Sequence, residues 1–208
     1  MIKNLNSLNT NNKIDIENII IGSGAGGATT AYELLKQNKE CIILEEGPSV
    51  NNLDFSNIGR NIAKLYKNNG ATPLISNNGG PMIGYGQGSC VGGSTYVNAG
   101  YFSSTPEWIF NNWVKQNKTI IEFSHYKKLI DEIKSEIKVN IEELTSLDND
   151  SKILYEKSKG LNWRIEKCER YSSGIIGREK QNMNTTYLKK ISENGVNIFH
   201  DAKVLKIF

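Results

Sequence analysis

The chain has 208 residues, of which 25 are lysine or arginine and 22 are aspartate or glutamate, so its formal net charge is +3. This length suits one domain or slightly more, and the near balance of charges, without runs of one sign, argues against a nucleic-acid-binding surface. No apolar run is long enough for a transmembrane segment, and the polar first residues lack the apolar stretch of a signal peptide, so we expect a cytoplasmic protein.

The N-terminal part of the chain predicts a βαβ unit. Residues 1–13 are rich in asparagine and lack an apolar period, so we predict a disordered leader. Residues 19–21 form a continuous β-branched run, typical of a strand buried on both faces of a parallel sheet. Apolar residues recur at helical spacing over residues 25–37, and residues 41–44 form a second buried run. A strand, a helix and a strand in this order indicate a right-handed crossover and hence an α/β fold.

The middle of the chain is predicted to be mostly helical. Apolar residues recur at helical spacing over residues 57–69 and, most clearly, over residues 124–139, where Ser124 can cap the helix. Residues 71–90 are rich in glycine, asparagine and proline, which predicts a loop. A shorter helix is predicted to end near Gly160.

The C-terminal segment predicts one more helix and two strands. The helix covers residues 185–193, and Gly195 predicts its end. Residues 196–200 and 204–208 have the β-branched and aromatic composition of short strands.

Cysteine and histidine are too few and too scattered for metal or disulfide chemistry. Cys41, Cys90 and Cys168 form no Cys-x-x-Cys pair, and their odd number fits reduced thiols. His125 and His200 lie far apart in the sequence, and neither is near a cysteine. We therefore predict no metal site.

A glycine motif follows the first buried strand. Gly22, Gly24 and Gly27 match G-x-G-x-x-G between a strand and a helix, and the acidic Glu45 ends the next strand. Such glycines allow a tight turn, close approach of the backbone to a pyrophosphate and close packing of the helix, whose N-terminus favours negative charge. We expect Glu45 to bind ribose hydroxyls and disfavour NADP, and Glu46 to be solvated. The motif alone fits a turn without ligand, and it does not separate NAD from FAD.

A second glycine-rich stretch covers residues 88–98, with the sequence GSCVGGSTYVN. Its glycines, small hydroxyls and terminal amide can lie flat against a planar or phosphorylated ligand and donate several backbone N–H groups. Taken by itself, the stretch is also compatible with a flexible surface loop.

Together, the two motifs resemble the glucose-methanol-choline (GMC) family of flavoprotein oxidoreductases. The resemblance is carried by IIIGSGAGGATTAYEL, LEEGP, GSCVGGSTYVNAG and TPEWI, and more weakly by NTTYLKK and GVNIFHDAKVLKI. It implies an α/β, Rossmann-like FAD/NAD(P)-binding fold with an incomplete substrate-binding domain. The expected organisation is a leader at 1–13, the first part of an FAD-binding domain at 14–110, a helical insertion or partial substrate domain at 111–183, and a return to the FAD-binding domain at 184–208.

The resemblance also implies FAD as the cofactor and a small-molecule alcohol as the substrate of the full-length protein. In the family's reaction, a base removes the hydroxyl proton of the alcohol while a hydride passes to flavin N5. Val204 is expected near the adenine. The implied cofactor-binding residues are Gly22, Gly24, Gly27, Glu45, Gly88, Ser89, Gly92, Gly93, Ser94, Asn98 and Val204.

The sequence departs from the family pattern in ways that bear on activity. Ser89 stands where most family members carry arginine or asparagine, although a long-chain alcohol oxidase-like branch also has a small hydroxyl residue there. Full-length members are much longer, and their catalytic histidine lies in a segment without a counterpart here. Neither His125 nor His200 has a matching context. We therefore predict no catalytic residue in this chain and expect the 208 residues alone to be inactive.

Two other functions are compatible with the motifs. One is a non-catalytic FAD- or nucleotide-binding fragment that needs a partner chain. The other is a compact NAD-dependent dehydrogenase, for which Tyr155 and Lys159 supply the Tyr-x-x-x-Lys spacing of short-chain dehydrogenases. Against it, the first glycine motif is not that family's, and the second has no place in it.

Overall fold

The computed structural model describes residues 1–7, 13–51, 53, 56–118, 120–141, 147–163, 165, 167–171 and 180–208. Its strands are β1 (Ile2–Asn4), β2 (Asn18–Ile21), β3 (Cys41–Leu44), β4 (Thr72–Leu74), β5 (Ile83–Tyr85), β6 (Tyr101–Phe102), β7 (Asn140–Ile141), β8 (Glu169–Arg170) and β9 (Asn197–His200). Its α-helices are α1 (Ala25–Lys36), α2 (Ile58–Leu65), α3 (Ser94–Val97), α4 (Glu107–Asn117), α5 (Phe123–Glu136), α6 (Asn149–Gly160) and α7 (Tyr187–Glu193).

The chain divides into two compact units. Unit 1 comprises Met1–Asn98 and Asn182–Phe208, and unit 2 comprises Ala99–Gln181. None of the helices in the described ranges is both long enough and apolar enough to cross a membrane.

Unit 1 is built on a four-stranded parallel sheet with the order β1-β9-β3-β2. Ile43 of β3 lies between Ile20 of β2 and Ile198 of β9, and helices α1 and α7 pack on this face of the sheet. Small residues of α1 let the helix approach closely, because alanine adds little bulk between helix and sheet. The buried core of this face includes Ala28, Ala31, Cys41, Ile43, Leu188, Ile191 and Ile198. The predicted βαβ unit and α/β fold are confirmed.

The prediction that β2 is buried on both faces of the sheet is wrong. Ile19 and Ile21 are 55% and 53% exposed. The reason is the position of β2, which is the edge strand among the described strands of this sheet, with described helices packed on one of its faces. The apolar cluster on the opposite face is centred on Ile42, Phe199 and Ala202 of β3 and the β9 region.

The N-terminal residues also differ from the predicted leader. Residues 2–4 form β1, which pairs in parallel with β9, and the ammonium group of Met1 donates a hydrogen bond to the Val196 carbonyl at 2.7 Å. Edge-strand pairing uses backbone groups, which any residue except proline supplies, so an asparagine-rich composition does not reveal it. Residues 8–12 of the predicted leader lie outside the described residues.

A β-hairpin occupies part of the predicted loop at 71–90. The helix predicted before it is present as α2, followed by a short 3-10 turn at Lys67–Gly70. Strands β4 and β5 then pair antiparallel, with Pro73 opposite Gly84. Proline and glycine are poor strand formers, and the largely exposed hairpin shows no polar and apolar alternation, so the sequence carries no strand signal here.

At the C-terminus, α7 and β9 agree with the predicted helix and first strand, but residues 204–208 are not a strand. Leu205, Ile207 and Phe208 are exposed, and their backbone belongs to no strand of the described part of the chain. A β-branched and aromatic composition does not make a strand without a neighbour to pair with.

Unit 2 contains α4, α5, α6 and a three-stranded antiparallel sheet with the order β6-β8-β7. Phe110 of α4 packs against the rings of Phe123 and Tyr126 at the start of α5. The helix predicted at 124–139 is present as α5, but its N-cap is Glu122, so the predicted cap at Ser124 is wrong. The predicted helix end at Gly160 is confirmed by α6.

Candidate functional site

Unit 1 contains an open cavity of about 460 Å³ at the carboxyl end of its parallel sheet. The cavity lies where β2, β3 and β9 end. Open α/β sheets bind their ligands at this edge. The cavity is lined by Ile21, Gly22, Gly24, Ala25, Leu44, Glu45, Glu46, Lys67, Gln87, Gly88, Gly93, Ser94, Thr95, Ala202, Lys203 and Val204.

The first glycine motif forms the turn from β2 into α1. The Gly22 amide donates to the Leu44 carbonyl at 2.8 Å, and Gly24 is the N-cap of α1. A Cβ atom at Gly27 would lie 1.9 Å from the Gly22 carbonyl oxygen, so only glycine permits this close packing of helix on turn. The first N–H groups of α1 have no partner within the helix, which leaves a partial positive charge at the cavity.

The second glycine stretch lies directly against the first. Gly93 has a φ of +56°, and a Cβ atom there would lie 2.9 Å from the Gly24 Cα atom. The Gly88 amide donates to the Ser94 hydroxyl at 3.0 Å, which closes the stretch on itself. Two motifs that are far apart in the sequence therefore meet backbone to backbone at one cavity.

The structure brings most of the predicted site residues to this cavity, but not all. Gly22, Gly24, Glu45, Gly88, Gly93, Ser94 and Val204 line it, whereas Gly27, Ser89, Gly92 and Asn98 do not. The Ser89 amide instead donates to the Leu65 carbonyl, and the Asn98 amide to the Ser94 carbonyl, where Asn98 caps α3.

Glu45 is buried, at 5% exposure, and its carboxylate already has partners within the protein. Oε2 accepts hydrogen bonds from the Ser23 amide at 2.9 Å and the Ser23 hydroxyl at 2.7 Å, and Oε1 accepts one from the Gly47 amide at 2.9 Å. Each carboxylate oxygen has two lone pairs, so Oε1 retains capacity for one more donor. The contact between Glu45 and a ribose stays a prediction. The sequence did not indicate the structural role of Glu45, which is to accept hydrogen bonds from Ser23 and Gly47.

Two lysines at the cavity were not predicted. Lys67 forms an ion pair with Glu46 at 3.0 Å, so Glu46 is exposed but not simply solvated. The position of Lys67 depends on its backbone bond to the Gln87 carbonyl, which no local sequence signal indicates. Lys203 could have been found, because it precedes Val204, which the family resemblance placed near the adenine.

The geometry fits the diphosphate and adenosine part of FAD. A Cβ atom at Gly24 would approach only the Gly93 Cα atom, at 4.0 Å, so the space beside Gly24 is open cavity rather than packed protein. The N-terminus of α1 and Lys203 place positive charge around this space, whereas the charge of Lys67 is balanced by its ion pair with Glu46. A pyrophosphate matches that charge and needs such a side-chain-free backbone surface.

The histidines and Cys90 contribute no reactive group to the cavity. Among the described lining residues none is a histidine. His200 lies on β9 with its Nδ1 2.7 Å from Asp201 Oδ2, and His125 is exposed on α5 of unit 2. Cys90 is a fully buried free thiol.

Comparisons with known proteins agree with this geometry. A sequence model of the family described as GMC oxidoreductase matches residues 16–208. The chain is 30% identical over 218 residues to an uncharacterized GMC-type oxidoreductase of Sinorhizobium fredii, covering 97% of this chain and 41% of that protein. It is 27% identical over 164 residues to a long-chain-alcohol oxidase of Arabidopsis thaliana, covering 77% of this chain and 21% of that protein.

A solved structure shares the fold. A variant of Aspergillus oryzae formate oxidase, studied for the modification of its FAD, is similar with a TM-score of 0.60 and 13% identity, over 89% of this chain and 38% of that one. The chain spans about two fifths or less of the length of these relatives.

Proposed function

Because this chain belongs to the GMC oxidoreductase family, whose cofactor is FAD, we propose that the cavity of unit 1 binds the adenosine and pyrophosphate part of FAD. The observation that carries the proposal is the backbone contact of the two glycine motifs, Gly24 against Gly93, at the N-terminus of α1. The side-chain-free surface there accepts a pyrophosphate and leaves no room for a larger residue at position 93.

Each wall of the cavity has a separate role in this proposal. The first turn of α1 donates N–H groups to the pyrophosphate, and Lys203 adds positive charge at the rim. Glu45, at the end of β3, offers its remaining acceptor capacity to the ribose. Val204, after β9, packs beside the adenine.

We further propose that the protein takes part in the oxidation of a CH–OH group of a small-molecule alcohol. The similarity to long-chain-alcohol oxidases supports this substrate class. Bound FAD supplies the hydride acceptor, at flavin N5. The residues of this chain bind and orient the cofactor, and we assign no catalytic base to them because neither His125 nor His200 has the sequence context of the family's catalytic histidine.

The domain organisation is part of the same proposal. We assign 14–110 and 184–208 to FAD binding and 111–183 to a partial substrate domain. Unit 1 supports this division, because it joins the two glycine motifs to α7 and β9, although the unit boundary falls at Ala99 rather than after residue 110.

The alternative of an NAD-dependent dehydrogenase gains nothing from the structure. Tyr155 and Lys159 lie on α6, where the exposed Lys159 ammonium sits 4.1 Å from the centre of the Tyr155 ring and pairs with Glu156. This is an ordinary surface stack on a helix. Because the chain belongs to the GMC family, we propose a flavoprotein rather than an NAD-dependent dehydrogenase.

A ligand titration of the 208-residue chain tests the proposed cofactor site. We expect FAD and ADP to bind in competition, and FMN, which lacks the adenosine and second phosphate, to bind far more weakly. NADP should also bind weakly, because its 2′-phosphate would face the Glu45 carboxylate. Equal affinity for FMN and FAD would contradict the assignment of the cavity to the adenosine half.

A further inference from the structure

Ser23 is the fully buried residue between Gly22 and Gly24, and its side chain connects the two glycine motifs. Its hydroxyl lies 2.7 Å from Glu45 Oε2 and 3.0 Å from the backbone nitrogen of Gly92. The Ser23 amide donates to the same carboxylate oxygen at 2.9 Å. The first motif, the end of β3 and the second motif are therefore joined at one side chain.

The direction of these hydrogen bonds follows from the chemistry of the groups. An ionised carboxylate only accepts, so the Ser23 hydroxyl donates its proton to Glu45. The Gly92 amide only donates, so the same hydroxyl oxygen accepts from it. Among small side chains only a hydroxyl performs both roles well, and alanine or glycine performs neither.

Glu45 is a fixed anchor for this connection. Its amide donates to the Phe199 carbonyl at 2.8 Å, and its own carbonyl accepts from the Ala202 amide at 2.7 Å. Its second carboxylate oxygen is held by the Gly47 amide. Glu45 is therefore fixed to the sheet by its backbone. Because the Ser23 hydroxyl bonds to both Glu45 and Gly92, it fixes Gly92 relative to the sheet.

Other contacts hold the peptide groups around Gly92 from different directions. The Thr95 hydroxyl donates to the Gly92 carbonyl at 2.6 Å, and the Asn184 side-chain amide donates to the neighbouring Val91 carbonyl at 2.7 Å. Among the hydrogen bonds described for this part of the chain, the one between Ser23 and Gly92 ties this stretch to the first glycine motif. Without it, the stretch remains attached to Thr95 and to the segment before α7 but loses its polar link to the turn before α1.

We propose that Ser23 is a positioning residue, which holds the second glycine stretch at the distance from the α1 N-terminus that the FAD pyrophosphate requires. This inference rests on the proposed FAD site. Ser23 is absent from the cavity wall, so it acts through Gly92 and Gly93 rather than by touching the cofactor. The preformed spacing lowers the ordering that binding would otherwise require.

The test compares the 208-residue chain with Ser23→Ala and with a matched control, Ser158→Ala. Ser158 is also buried, at 6% exposure, but its hydroxyl donates to the Leu154 carbonyl within α6 of unit 2. Loss of one or two hydrogen bonds should weaken FAD binding by about 10-fold in Ser23→Ala. The control should bind FAD like the unchanged chain.

A second readout is amide hydrogen exchange in the cofactor-free proteins. Ser23→Ala should speed exchange at Gly92 by about 10-fold, since that amide loses its acceptor. The core amides of Ile43 and Ile198 should keep their rates. A general loss of structure would instead speed exchange throughout unit 1.

The outcomes separate this inference from the proposed function. If the unchanged chain does not bind FAD, both the FAD site and the proposed role of Ser23 are wrong. This holds even if Ser23→Ala speeds exchange of the Gly92 amide. Normal FAD affinity in Ser23→Ala would overturn the role of Ser23 alone, whatever the exchange rate of the Gly92 amide. If Ser23→Ala does not fold, Ser23→Cys, with a thiol of similar size and weak hydrogen bonding, decides by the same criteria.

Discussion

Substitution of Gly24 is the most direct test of the cofactor site. Its φ of −67° is accessible to any amino acid, and its missing side chain leaves free cavity rather than a packed contact. We expect Gly24→Val to abolish FAD binding, because the added methyl groups occupy the space of the pyrophosphate.

The matched control is Gly26→Val, in the same motif. Gly26 is exposed in the first turn of α1, away from the cavity wall, and a Cβ atom there would meet nothing within 4 Å. Fluorescence titration with FAD should show near-normal affinity for Gly26→Val. Stoichiometric flavin in purified Gly24→Val would show that the motif does not hold the pyrophosphate.

Glu45 and Glu46 are neighbours with opposite environments, and their substitution should have very different effects. Glu45→Ala removes a carboxylate that satisfies the buried Ser23 and Gly47 amides, and each unsatisfied group costs about 1–3 kcal/mol. We expect FAD affinity to fall by roughly 10 to 150-fold, with a lower urea midpoint of unfolding.

Glu46→Ala serves as the comparison for Glu45→Ala. It breaks only an exposed ion pair with Lys67, which is worth about 0–1 kcal/mol. Its affinity and unfolding midpoint should stay close to those of the unchanged chain. Equal losses at the two positions would contradict the expected contrast between a buried, hydrogen-bonded carboxylate and an exposed one.

The candidate site was predictable where a motif has a mechanical reason for its residues. Gly22, Gly24 and Glu45 follow from the spacing of a strand, a turn and a second strand, and the structure places all three at one cavity. Ser23 and Lys67 were not predictable, because their roles come from partners that only the folded chain brings close. An x position in a motif carries no signal of its own.

At the scale of elements, prediction succeeded where burial imposes a pattern. The strands β2 and β3 and the helix α1 have apolar residues at the period of their structure, and each is present. The missed strands β1 and β4–β8 have at most partly buried residues and are held by backbone pairing, which leaves no trace in composition. Exposure of one face of β2 depends on strand order, which the sequence of one strand does not contain.

The start of α6 makes a prediction about pH. The Asp148 side chain accepts a hydrogen bond from the Ser151 amide at 2.8 Å, and this bond lowers the pKa of the carboxyl below its ordinary value. A lowered pKa in the folded state stabilises the helix above the unfolded-state pKa, and the contribution disappears as pH falls through the folded-state value.

Asp148→Asn keeps a capping side chain without the charge. We expect acid titration followed by circular dichroism to show a loss of helix between about pH 5 and pH 2 that is smaller in Asp148→Asn than in the unchanged chain. The same acid transition in both proteins would show that the cap does not depend on ionisation.

The reactivity of the three cysteines with a thiol reagent depends on whether the protein is folded. Cys41 and Cys90 are buried and Cys168 is exposed, and burial raises the pKa of the Cys41 thiol, which disfavours the reactive thiolate. We expect a thiol reagent to modify Cys168 rapidly in the native chain and all three cysteines after unfolding in urea. Mass spectrometry of digested protein identifies the modified residues, and fast native labelling of Cys41 would contradict the packing of β3 against α1.

We also expect the 208 residues alone not to oxidise alcohols, even when FAD is supplied. Hydride leaves a carbinol carbon readily only as a base within about 3 Å takes the hydroxyl proton, and neither His125 nor His200 has the sequence context of the family's catalytic histidine. The assay is anaerobic bleaching of the flavin by short-chain, long-chain and sugar alcohols. Rapid bleaching that is lost in His125→Ala or His200→Ala would make one of these histidines the base.

The edge position of β2 has a consequence for how the protein behaves at high concentration. Within the described part of the chain the outer side of this strand pairs with no other strand, so its backbone donors and acceptors are open to an extended segment, and Ile19 and Ile21 add exposed apolar surface beside them. Two molecules that paired there would form a continuous intermolecular sheet next to the loop that starts α1. The substitution Ile19→Lys should oppose such self-association, because it adds a charge beside the strand edge. Ile19 is exposed and is not part of the core under the helices, so the core should stay intact.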